Sequence, residues 1–71
     1  RIMTDHVYKK VELVGSSSNS IEEAIQNAIS LAGKSIKNMD WFEVTETRGH
    51  ITDAKVVHYQ VGLKVGFRVE G

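Results

Sequence analysis

Seventy-one residues without cysteine or proline describe one small domain, and they exclude a disulfide scaffold, a Cys-based zinc site and a thiol nucleophile. Nine basic residues balance nine acidic ones, so the chain lacks the net positive field of a dedicated nucleic-acid binder. No apolar run exceeds two residues, which leaves no membrane-spanning helix and no signal-peptide core and makes a cytoplasmic location the default expectation.

Hydrophobic residues make up 41% of the chain, enough for a folded domain. A domain this short buries only about 60% of its unfolded surface when it folds alone. Disulfides are absent and no metal motif stands out, so oligomerisation is the expected support. We read 1–71 as a single domain. Met3 fits an initiator, so Arg1 and Ile2 read as residues added ahead of the native start.

Val7 to Val14 reads as a first strand. Val7, Val11 and Leu13 share one face, with Lys9 as the exception; Tyr8, Lys10 and Glu12 take the other. Gly15-Ser16-Ser17-Ser18-Asn19 is a turn by composition. Ser20-Ile21-Glu22-Glu23 fits a capping box, in which Ser20 accepts from the Glu23 N–H and Glu23 reaches back. Ile21, Ala24, Ile25, Ala28, Ile29, Ala32 and Ile36 then recur at helical spacing on one stripe. That spacing predicts a helix over 21–37. Gly33 lies inside it, marking either close packing or an earlier stop.

Asn38-Met39-Asp40 breaks the pattern, and Trp41 to His50 reads as a second strand. Phe42 and Val44 face one way; Trp41, Glu43, Thr45 and Thr47 face the other. Gly49 marks a candidate bulge or bend, and Thr52-Asp53-Ala54 the hairpin turn. The third strand is the clearest. Val57, Tyr59, Val61, Leu63, Val65, Phe67 and Val69 alternate with His58, Gln60, Gly62, Lys64, Gly66 and Arg68.

The order β-α-β-β gives an α+β fold. A helical crossover makes the first two strands parallel and a hairpin makes the last two antiparallel. Inserting the third strand between the other two makes every neighbour antiparallel and puts its apolar face against the helix. Fifteen residues from Lys55 to Val69 span about 50 Å if straight, against about 25 Å for the helix and a radius of gyration of about 11 Å for a compact chain this long. Either the strand bends around the helix, helped by Gly62 and Gly66, or it projects toward a neighbour. One helix covers only one sheet face, so a second subunit or a ligand is expected on the face that carries Trp41.

Trp41 is the foremost candidate residue. It either fills space between subunits or offers a stacking platform to a flat aromatic ligand. Gln60, on the adjacent strand and the same face, supplies amide donors and an acceptor. Gly62 and Gly66 leave room there for a ring close to the backbone. Arg68, Lys64 and Arg48 are candidate anion contacts, since arginine holds phosphate bidentately, although any one of them also serves simply as solubilising charge. His6, His50 and His58 lack metal-ligand spacing. The serine cluster has no nucleophile elbow and no base, and the Gly-Ser turn lacks the P-loop lysine. No catalytic constellation is present, so an enzyme is not expected.

These residues resemble a family, the dodecins. The likeness runs through Val11-Glu12-Leu13-Val14-Gly15-Ser16-Ser17, Trp41-Phe42-Glu43-Val44, Arg48-Gly49, Tyr59-Gln60-Val61 and Leu63-Lys64-Val65-Gly66-Phe67, and covers the chain from Met3 onward. The Trp-Phe-Glu-Val wording and the lack of acidic excess resemble bacterial members more than halophilic archaeal ones. The resemblance implies a sheet wrapped around the helix and a hollow homododecamer of cubic symmetry. It implies flavins bound in pairs between subunits, each isoalloxazine stacked on Trp41 and hydrogen-bonded by Gln60, with Arg48 and Arg68 toward the FMN phosphate. It further implies storage of FMN, riboflavin or FAD and protection from photochemistry rather than turnover, and in some bacterial members coenzyme A binding. The residues themselves equally allow another planar ligand or a purely structural oligomeric shell.

Overall fold

The computed structural model describes residues 6–69; the reading of Arg1, Ile2 and Met3 lies outside them. Four elements follow in chain order: β1 (Val7–Ser17), α1 (Ile21–Ala32), β2 (Met39–Thr52) and β3 (Lys55–Val69). The sheet order is β1-β3-β2, with β3 antiparallel to both neighbours. The predicted β-α-β-β arrangement and the central third strand are therefore observed.

The core lies where α1 crosses β1 and β3. Ala24, Val61, Leu63 and Val65 are buried, with Val11, Leu13, Ile25, Ala28, Ile29 and Met39 packed around them. Gly15 permits this approach: a side chain there would collide with the Ala24 carbonyl.

Three local readings are corrected. The serine-rich segment is a turn only at Ser18-Asn19. Ser16 and Ser17 extend β1, pairing with Gln60 and Tyr59, because the long β3 offers them backbone partners. The helix ends at Ala32 rather than at Lys37. Past it the bonds shorten, Lys34 N–H to Leu31 C=O and Ser35 N–H to Ala32 C=O, and Asn38 turns the chain at φ 64°. Gly33, with its low helix propensity, thus marks the stop. The capping box is half formed. Ser20 Oγ accepts from the Glu23 N–H at 3.0 Å, but the Glu23 carboxylate accepts from Ser17 Oγ and Asn19 Nδ2 instead of returning to Ser20. Those two hydrogen bonds hold the Glu23 carboxyl below the usual range.

The molecule measures 61 × 21 × 14 Å, with a radius of gyration of 15.2 Å. A compact chain of this length has about 11 Å, so β3 projects beyond its own core. The hairpin turn at Asp53-Ala54 has positive φ at both residues, 52° and 62°, the handedness that matches strand twist.

Candidate functional site

The outer face of the sheet, opposite α1, is built row by row from the register. Lys10, Gly66 and Trp41 share one row. Next come Glu12, Lys64 and Glu43, then Val14, Gly62 and Glu46, then Ser16, Gln60 and Arg48. His58 and His50 face each other beyond, with ring centroids 6.4 Å apart. Among the described residues no three His, Asp or Glu side chains come together as a metal site.

Trp41 lies on this face as predicted, 39% exposed. Its indole lies over Gly66, and a methyl group at 66 would overlap the six-membered ring. Tyr8 meets it edge-on, with centroids 5.1 Å apart and planes at 63°. Alternation alone puts Tyr8 on the polar face of β1 and does not link it to Trp41. That link needs the register, which sets Tyr8 opposite Arg68, beside the Gly66 row.

Arg48 reaches the same face for a reason alternation alone conceals. Counted straight from Trp41, Arg48 falls on the helix side and Thr47 on the outer side. A register shift between Val44 and Glu46 reverses this. Glu46 and Arg48 then oppose Gly62 and Gln60, and Thr47 opposes Val61. The bulge sits at Thr45; Gly49 keeps regular pairing with Tyr59, with a further shift between His50 and Ile51.

Gln60 shares the face with Trp41 but not the place. Trp41 pairs with Gly66, six residues along β3 from Gln60, a separation of about 20 Å. The outer face therefore carries two half-sites. One holds Trp41, Tyr8 and Gly66; the other holds Gln60, Arg48 and Ser16. No single flat ring touches Trp41 and Gln60 of one chain.

The charges sort the same way. Arg48 Nη2 bonds Glu46 Oε2 along its own strand. Lys64 sits between Glu12 and Glu43 in register, so carboxylates flank it on both sides. Lys10 Nζ bonds Glu43 Oε1 at 2.6 Å across β3. That hydrogen bond first, then the Lys10 charge and more weakly Lys64, hold the Glu43 carboxyl below its usual range. Arg68 lies beside Tyr8, and its backbone N–H donates to Asn38 C=O at 3.1 Å. It also borders a hollow of about 470 Å³ shared with Lys9, Lys37 and Phe67. Lys9, the residue that broke the alternation of β1, pairs with Phe67 there.

One helix on a three-stranded antiparallel sheet, with a tryptophan lying on the sheet's uncovered face, defines a small α+β class. Residues 7–70 match the family Dodecin, and the chain belongs to the dodecin family. It is 58% identical over 64 residues to the Dodecin of Thermus thermophilus, covering 90% of this chain and 93% of that one. The structure of dodecin from Streptomyces coelicolor superposes with a TM-score of 0.90 at 46% identity, covering 97% of this chain and 99% of that one. A tryptophan-to-phenylalanine mutant of the T. thermophilus dodecin gives a TM-score of 0.89 at 54% identity, covering 94% and 100%. Among the described residues no helix is long and apolar enough to cross a membrane.

Proposed function

We propose that this chain stores and sequesters flavin, FMN or riboflavin with FAD also accommodated, between subunits of a hollow cytoplasmic homododecamer. In this reading it is a binding protein and not an enzyme. The carrying observation is the divided outer face: a tryptophan ring laid flat at one end of the sheet and an amide with an arginine at the other. A site using both draws Trp41 from one subunit and Gln60 from another. Trp41 stacks on the isoalloxazine and quenches its excited state by electron transfer. Gln60 hydrogen-bonds the ring edge, and Arg48 and Arg68 face the phosphate. Family membership and the half-exposed indole support this reading.

Titrating apo-protein into FMN while following flavin fluorescence tests it. Saturable quenching near one flavin per chain is expected. Trp41→Ala, with assembly confirmed by light scattering, should weaken binding by about 1–3 kcal/mol, one to two decades in Kd. Gln60→Ala should cost roughly 0.5–1.5 kcal/mol. Unchanged affinity in an assembled Trp41→Ala variant would refute the stacking role.

A second reading takes support from the hollow that Lys9, Lys37 and Arg68 line together with the apolar Phe67 and Val69. Basic and apolar side chains around one hollow suit a phosphate-bearing ligand with an apolar part, such as coenzyme A. Absence of flavin quenching together with calorimetric binding of coenzyme A would favour it. Absence of both would leave a purely structural shell.

A further inference from the structure

The Trp41 indole does not stand away from the sheet. It lies across β3 at Gly66, where an added methyl would overlap Cε2, Cζ2 and Cη2. Backbone therefore backs one face of the ring. Tyr8 packs against it in a T-shaped contact, with ring centroids 5.1 Å apart. The Lys10–Glu43 ion pair, 2.6 Å long, crosses β3 from the row of Gly66 to that of Lys64. Trp41 still stays 39% exposed. An unsupported surface tryptophan exchanges rotamers, and a ligand that stacks on it must immobilise it first. Here the ring is already placed.

We propose that Tyr8 and Gly66 are positioning residues that preset the Trp41 indole for a flat aromatic ligand. Gly66 lets the ring settle against the backbone. The T-shaped contact with Tyr8, favourable because the positive rim of one ring meets the negative face of the other, holds the ring there while Trp41 stays part-exposed. Both residues act through Trp41. The proposal rests on the flavin-stacking reading, and its test separates the two.

The test uses the assembled protein and two readouts. The first is fluorescence anisotropy of Trp41, the single tryptophan, without ligand. The second is the Kd for FMN. Tyr8→Leu removes the aromatic partner; it should lower the anisotropy and weaken FMN about three- to tenfold. Tyr8→Phe keeps the aromatic ring and should restore both values. Gly66→Ala should lift the indole and weaken FMN further; should that variant not assemble, the Tyr8 pair decides alone. Anisotropy and Kd unchanged in Tyr8→Leu overturn the proposal. Retained FMN affinity in Trp41→Ala overturns the stacking reading instead, and the ligand-free anisotropy of Tyr8→Leu still decides whether Tyr8 positions the ring.

Discussion

Leu63 and Val57 belong to the same strand and the same period-two set, yet Leu63 is fully buried and Val57 is 42% exposed. The difference is the helix. Twelve residues of α1 span about 18 Å and shield the sheet only around Val61, Leu63 and Val65. The rest of the sheet keeps its apolar side chains without a cover of its own. Phe42 and Val44 are 47% and 45% exposed, and Ile51 and Val56 at the far end of the hairpin 72% and 55%. The periodicity of β3 thus records two kinds of burial. One is completed within the chain. The other, in the assembled reading, is completed by neighbours, which suits a domain too small to stabilise itself amply.

The sharpest way to break this comparison is paired truncation. Leu63→Ala should destabilise the fold by about 2–5 kcal/mol, read as a lower denaturation midpoint. Val57→Ala should leave the subunit's secondary structure intact and act mainly on assembly, read by light scattering. Equal losses of fold at both positions would mean that the arm belongs to the subunit core.

A second test concerns the polar groups that pin each region. Glu23 ties the helix start to β1 through Ser17 and Asn19, and Glu43 bridges to Lys10 over β3. Both carboxyls sit below their unfolded values. Their contribution is therefore complete above the unfolded glutamate pKa and is lost as pH falls toward the folded one. Acid titration should show stability declining across that interval. Glu23→Gln and Glu43→Gln should each flatten the decline, and an unchanged pH profile in both would remove these bonds from the account.

The smallest effect belongs to the tip of the arm. Ala54 holds φ at 62°, where a β-carbon costs roughly 1 kcal/mol. Ala54→Gly should raise the melting temperature modestly without changing flavin affinity. A lowered melting temperature would place the turn in another conformation.

Much of this was legible from residues alone. Ser20 and the Ile/Ala stripe marked where the helix begins, and the alternation from Val57 to Val69 marked the central strand. Trp41 lay on the expected face. Hidden features were those set by pairing rather than by pattern. The Thr45 bulge moves Arg48 to the outer face, and no glycine or proline announces it. Ser16 and Ser17 join β1 because a longer partner strand reaches them. Tyr8 meets Trp41 because Gly66 lets the indole lie flat. The distance between Trp41 and Gln60 likewise follows from register; sharing a face did not reveal it.

That distance carries the central claim, and mixing subunits tests it most directly. Trp41→Ala and Gln60→Ala chains, each binding FMN weakly alone, are unfolded, combined and reassembled together. A site shared between subunits restores a fraction of binding positions with both native side chains, so a high-affinity phase absent from either parent should appear. A mixed assembly that binds only as the average of its two parents would contradict the shared site and return both residues to a single chain.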